Sequence, residues 1–264
     1  VSFSAGFSVL NYFLLTVAGP RIDLLLAQAD TLTGFDWPAM MGFMSRHPWP
    51  NLVLQIAYVS LLPQIALLIA LLGWKARGED IFALCLAICV GAMATVLFWA
   101  FFPSFGAFTV YHLDPQIAGR LSLALDARYG HDLMNLLATG PGHISPRELK
   151  GLVGFPSFHT ALAVMVMWYV RRLTFVRWPL WALDIAVIVS TPIQGGHHMV
   201  DVLAAFPVTA LALFLAESGK LKLLVNNRQI LTLAVVPTRP FRAATALNTA
   251  SAGHAIKPAL HSLP

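Results

Sequence analysis

Residues 154–170 read GFPSFHTALAVMVMWYV and run into Arg171-Arg172. The apolar part has the character of a membrane helix, yet a serine and a histidine stand at its mouth. Pro156 suits a first helical turn, where a missing N–H costs no intrahelical bond. Polar and ionisable groups at membrane depth are expensive and mark sites. Whether the chain lives in a bilayer therefore decides how Ser157 and His159 are read.

Composition answers that question. The chain has 264 residues, 58% hydrophobic against the ~45–50% of soluble domains, and 11% charged against about 25%. Its mean hydropathy is +0.72. Six apolar runs, 3–19, 51–73, 81–102, 152–170, 178–194 and 199–216, approach the ~20 residues needed to cross a bilayer. The expected fold is all-α: a polytopic membrane helical bundle of about six transmembrane helices, with a helical or irregular outer loop between spans three and four. Residues 1–219 read as a single integral membrane domain. Residues 220–264 read as a mobile cytoplasmic tail, because from 237 onward (PTRPFRAATALNTASAG) apolar periodicity is lost. The first run also has the length of a signal sequence.

The net charge of +5 is spread singly or in pairs between apolar runs, with no basic stripe, so no nucleic-acid partner is expected. The cations set topology instead. Lys75 and Arg77, then Arg171, Arg172 and Arg177, then Lys220 and Lys222 fall in alternate connections, which become the cytoplasmic ones. The outer side then receives 20–50, 103–151 and the turn at Gly195-Gly196. Within 20–50, RIDLLLAQADTLTGFDW (21–37) predicts an amphipathic helix lying at the surface, and Trp37 and Trp49 an interfacial belt. Pro63 and Pro207 predict kinks, with Gln64 satisfying a freed backbone group. Asp184, inside span five, is expected neutral or facing a polar group of another helix. Cys85 and Cys89 have neither disulfide-motif nor zinc spacing.

In this topology spans four and six both begin on the outer face. Span four begins with PSFH (156–159) and span six with HHMVD (197–201). Helix N-termini offer free N–H donors and partial positive charge, so two facing ends predict an anion site, most simply for phosphate. His197 and Asp201, four apart, share a helix face. A carboxylate on one imidazole nitrogen fixes the tautomer and frees the other to attack. These positions therefore predict His197 as nucleophile, Asp201 as its orienting group and His159 as proton donor to a leaving alkoxide. His198 points elsewhere and lacks that partner. Ser157, Gly196 and neighbouring N–H groups would bind the non-transferred oxygens. Arg120, Arg128, Arg147 and Lys150 supply cations in the outer segment, with Lys150 and Arg147 the first candidates for substrate binding. Tyr111 and His112 follow span three closely enough to reach the pocket.

PSFH at the start of one span, with HxxxD 38 residues later at the start of the next but one, resembles the second and third signature motifs of the type 2 phosphatidic acid phosphatase superfamily. The resemblance covers about 50–216. It implies a phosphohistidine on His197, leaving-group protonation by His159, a phospholipid or isoprenyl-phosphate substrate, and no metal or other cofactor. For a bacterial chain it implies an inner-membrane protein with a periplasmic site. Two features depart from the pattern: Ser190 is followed by Thr191, not the phosphate-binding arginine, and no Lys-x6-Arg-Pro motif is present. FFPSFGA (101–107) and the doubled histidine are similar to the branch holding fungal inositol phosphorylceramide synthases, which implies head-group transfer as an alternative to hydrolysis. A reading of another class is a non-catalytic lipid-binding or transport protein on the same fold.

Overall fold

A computed structural model describes residues 2–15, 19–125, 129–140 and 151–218. The expected tail, 220–264, lies outside these residues, so the domain division at 219 is an expectation only. Among the described residues there are eleven α-helices and no strand. In chain order they are α1 (Ser2–Leu14), α2 (Asp23–Leu32), α3 (Trp37–Ser45), α4 (Pro48–Val59), α5 (Leu61–Trp74) and α6 (Gly78–Phe101). A 3-10 turn at Ala107–Thr109 follows, then α7 (Pro115–Ala118), α8 (Tyr129–Thr139), α9 (Phe158–Val170), α10 (Arg177–Gln194) and α11 (Met199–Glu217).

The expected count of six spans is not confirmed. By length and composition two described helices can cross a membrane, α6 and α11, and α4 with α5 makes a third if that bent pair is one span. The bend is 47°. Pro63 accounts for its place: it has no N–H for the Val59 carbonyl and its ring crowds that carbonyl, so α4 stops at Val59. Gln64 Nε2 donates to Ser60 Oγ at 2.9 Å, so it serves a side chain and not, as expected, the backbone. By contrast α11 runs through Pro207 uninterrupted. The expected fourth span is shorter than its apolar run, because residues 151–157 are irregular chain and α9 has 13 residues. Cys85 and Cys89 are free.

The core lies where α5, α6, α9, α10 and α11 meet, around Leu68, Leu84, Ala163, Val166, Val187 and Ala212. Gly91 of α6 brings the backbones together there: a Cβ would stand 2.7 Å from Met165 Cε, the use of small residues by which membrane helices approach closely. Asp184 is buried in α10, and among the described residues neither carboxylate oxygen has a hydrogen-bond partner. The bundle has two chemically distinct ends. At one, Asp80 at the start of α6 binds both Arg77 and Arg172, and Arg172 also reaches Glu217 at 3.0 Å. That network ties the ends of α9 and α11 to the start of α6. The other end gathers the close of α6 and α10 and the openings of α9 and α11.

α2 is amphipathic as expected, and the structure gives the direction of its two faces. Asp23 and Asp30 are 2% and 1% exposed, whereas Leu24, Leu25 and Leu32 are 70%, 62% and 90% exposed. The helix is amphipathic, but its acids face the protein and its leucines face out. Beside a bilayer that polarity is favourable, since the apolar face meets lipid and the carboxylates find donors inside. The aromatic belt is corrected in part. Trp49 is exposed, but Trp37 is buried and donates from Nε1 to the Pro192 carbonyl at 2.8 Å.

Candidate active site

The site end is built on three irregular segments: 103–107, 151–157 and 195–198. Asp23 organises the first. Its Oδ1 accepts from Ser104 Oγ (3.0 Å) and from the N–H groups of Phe105 (2.7 Å) and Gly106 (3.0 Å), while Arg21 Nε holds Oδ2 at 2.8 Å. The Ser104 carbonyl accepts from Trp99 Nε1 at 2.9 Å and from Gly154 N–H at 2.7 Å, which binds the second segment to the first. Ala107 N–H donates to the Gly196 carbonyl at 2.6 Å, which adds the third. In this way buried non-helical backbone, costly when unpaired, is satisfied at every junction. Gly106 adopts φ +87°, and a Cβ on it would stand 2.4 Å from the Gly196 oxygen. FFPSFGA is thus a wedge between the helix ends.

Asp201 joins α9 to α11. Its carbonyl accepts from Ser157 N–H at 3.0 Å, and its Oδ2 accepts from His198 N–H at 2.8 Å and lies 3.1 Å from His197 Nδ1. Asp201 is fully buried and His197 nearly so. The four-residue spacing therefore becomes a direct contact, with His197 Nε2 on the opposite side of the ring. Ser157 caps α9, its Oγ accepting from Thr160 N–H at 3.3 Å.

Two details differ from the sequence reading. The N-terminus of α11 is not open to an anion: Asp30 accepts from Met199 N–H and Val200 N–H, each at 2.9 Å. Asp30 thereby supplies the negative charge that a helix start favours. His198 also has a carboxylate neighbour, with its Nδ1 3.3 Å from Asp30 Oδ2. The opening of α9 carries no such carboxylate cap among the described residues.

His159 enters from α9, half-buried and near enough for a charge on one imidazole to act on the other, His197. Its ring stacks on Tyr58 of α4, with centroids 4.3 Å apart and planes 7° apart. Tyr58, Asp23 and Asp30 are the site-end residues that sequence reasoning did not single out. Gly196, at φ +62°, sits against the Phe108 ring and gives its carbonyl to Ala107. Tyr111 stacks on Trp37 (5.6 Å) and tilts toward His198 (6.4 Å). Burial, then the Asp30 and Asp36 carboxylates, push its phenol above the ordinary range, so it stays a neutral donor. His112 and Arg120 are exposed. Lys150, Arg147 and Arg128 lie outside the described residues. Among the described residues no cluster of three or more His, Cys, Asp or Glu could hold a metal ion.

The sequence profile of the PAP2 superfamily matches residues 24–215. The chain belongs to the PAP2 superfamily. No curated protein and no solved structure matches it. Membership supports a phosphatase- or phosphotransferase-type function on a lipid phosphate, in a membrane protein. The PAP2 match begins inside α2, ahead of the resemblance read from residue 50, and so includes Asp30 with the histidine motifs. It does not single out the inositol phosphorylceramide synthase branch.

Proposed function

We propose that the protein is an integral membrane phosphatase that cleaves a lipid phosphate ester through a phosphohistidine on His197. The observation that carries this reading is His197 Nδ1 at 3.1 Å from buried Asp201 Oδ2, beside the opening of α9 that bears His159. Asp201 keeps the proton on Nδ1 and leaves the Nε2 lone pair to attack phosphorus. As the N–P bond forms, the P–O bond to the lipid alcohol breaks, and protonated His159 gives its proton to the leaving oxygen. Water then attacks the phosphohistidine, His159 takes the water proton, and inorganic phosphate departs. Ser157 and N–H groups at the start of α9 stabilise the phosphoryl oxygens, and Lys150 and Arg147 are the candidates for countercharge.

A second reading replaces water with the hydroxyl of a head group such as inositol. It draws on the wedge 103–107, whose sequence carries that resemblance and which packs on Gly196. The first step is the same in both, because the acceptor is chosen by pocket shape. The site stands at the bundle end opposite Lys75, Arg77, Arg171, Arg172 and Arg177. With those cations inside, it faces the outer leaflet, which in a bacterium is the periplasmic side of the inner membrane.

The test is purified protein with a panel of phospholipids and isoprenyl phosphates in detergent, following inorganic phosphate and new lipid products. Free phosphate supports hydrolysis, and a new phosphodiester supports transfer. Activity should survive a chelator, because no step uses a metal ion. If wild type and His197→Ala are indistinguishable across the panel, the catalytic reading fails and a lipid-binding or transport role takes its place.

A further inference from the structure

Tyr58 touches both halves of the site. One face of its ring lies flat against His159. Its hydroxyl lies over Gly195: a Cβ there would be 2.7 Å from the Tyr58 oxygen and 2.9 Å from His197 Cδ2. Cδ2 is bonded to Nε2, the nitrogen turned away from Asp201. The hydroxyl therefore borders the edge of His197 from which attack on phosphorus would come. Glycine at 195 leaves the space that brings the two groups together.

Tyr58 is 9% exposed, and among the described residues its hydroxyl has no hydrogen-bond partner. A largely buried phenol usually has one. Three other donors of the neighbourhood are committed: Met199 N–H and Val200 N–H to Asp30, and Ser157 N–H to the Asp201 carbonyl. We propose that Tyr58 is a further catalytic residue, whose hydroxyl donates a hydrogen bond to a non-transferred oxygen of the bound phosphate group. Its ring meanwhile holds the His159 imidazole in position. The proposal rests on the reading of His197, Asp201 and His159 as a phosphoryl-transfer centre. Such a donor strengthens its bond as charge accumulates on the oxygen, so its worth lies in turnover more than in ground-state binding.

The experiment compares wild type, Tyr58→Phe and Tyr58→Leu in two assays: binding of orthovanadate, a phosphate mimic, and turnover of whichever panel lipid is cleaved. Tyr58→Phe keeps the stacked ring and loses only the donor. It should bind vanadate about tenfold more weakly and lose about 10²-fold in kcat, with KM changing less. Tyr58→Leu should fall further and alter the pH profile of kcat, which the Phe variant retains because His159 stays stacked. If Tyr58→Phe does not fold, 3-fluorotyrosine in place of Tyr58 keeps the ring and the hydroxyl and makes it a stronger donor, with tighter vanadate binding expected and unchanged binding overturning the role. Tyr58→Phe that binds vanadate and turns over like wild type overturns the role of Tyr58 and leaves the phosphohistidine reading standing. Wild type that neither binds vanadate nor cleaves any lipid overturns both.

Discussion

Asp201 uses one oxygen twice, for the His198 N–H and for the His197 ring, so orientation of the imidazole and closure of the first turn of α11 are a single contact. Asp201→Asn keeps the shape but can present its NH2 group to Nδ1, which favours the wrong tautomer. Its kcat should fall by about 10²–10⁴-fold with KM little changed, measured as phosphate release from the lipid found in the panel. Asp30 is a different case, because it touches no proposed reacting group. Asp30→Ala leaves two N–H groups at the start of α11 without their acceptor and removes the neighbour of His198. A loss of about 2–3 kcal/mol is expected, read from denaturation in detergent. The contact of His197 with Asp201 was legible because a separation of four residues is local, although His197 precedes α11 and reaches Asp201 from the irregular turn rather than from a shared helix face. Asp30 was not, since its partners lie 169 and 170 residues away and no local pattern announces them. Tyr58 was hidden for the same reason, inside an apolar run where an aromatic ring ordinarily means packing.

Among the elements, the wedge 103–107 depends on backbone approach. Gly106→Ala would place a methyl group 2.4 Å from the Gly196 oxygen at a φ of +87°, and no side-chain movement relieves a clash with backbone. Its thermal unfolding should come many degrees below that of wild type, with monodisperse protein reduced on size-exclusion chromatography. Helical periodicity located α6 and α11 well, because their apolar runs are long. The same reasoning found α2 as an amphipathic helix but not which way it faces: the pattern of acids and leucines gives amphipathicity without direction, and next to lipid the apolar face turns outward. It also overextended α9, whose apolar stretch includes irregular chain held by Ser104 and Asp201.

For the whole molecule, the separation of charge and chemistry to opposite bundle ends fixes what each membrane face should display. In a Cys85→Ser, Cys89→Ser background, Thr174→Cys should be shielded in intact cells from an impermeant maleimide and labelled after permeabilisation. Gln116→Cys should be labelled in intact cells. The reverse pattern would invert the orientation argued from Arg171, Arg172 and Arg177.

Asp23 and Asp30 are separated by seven residues, close to two full turns, and each meets a different irregular segment of the site end. That spacing gives α2 a phase as well as a length. Insertion or deletion of one residue between them rotates one carboxylate by about 100° relative to the other. Either the wedge or the opening of α11 then loses its anchor. Substitutions on the leucine face are tolerable in principle, whereas the seven-residue interval is a ruler that the chain cannot lengthen or shorten.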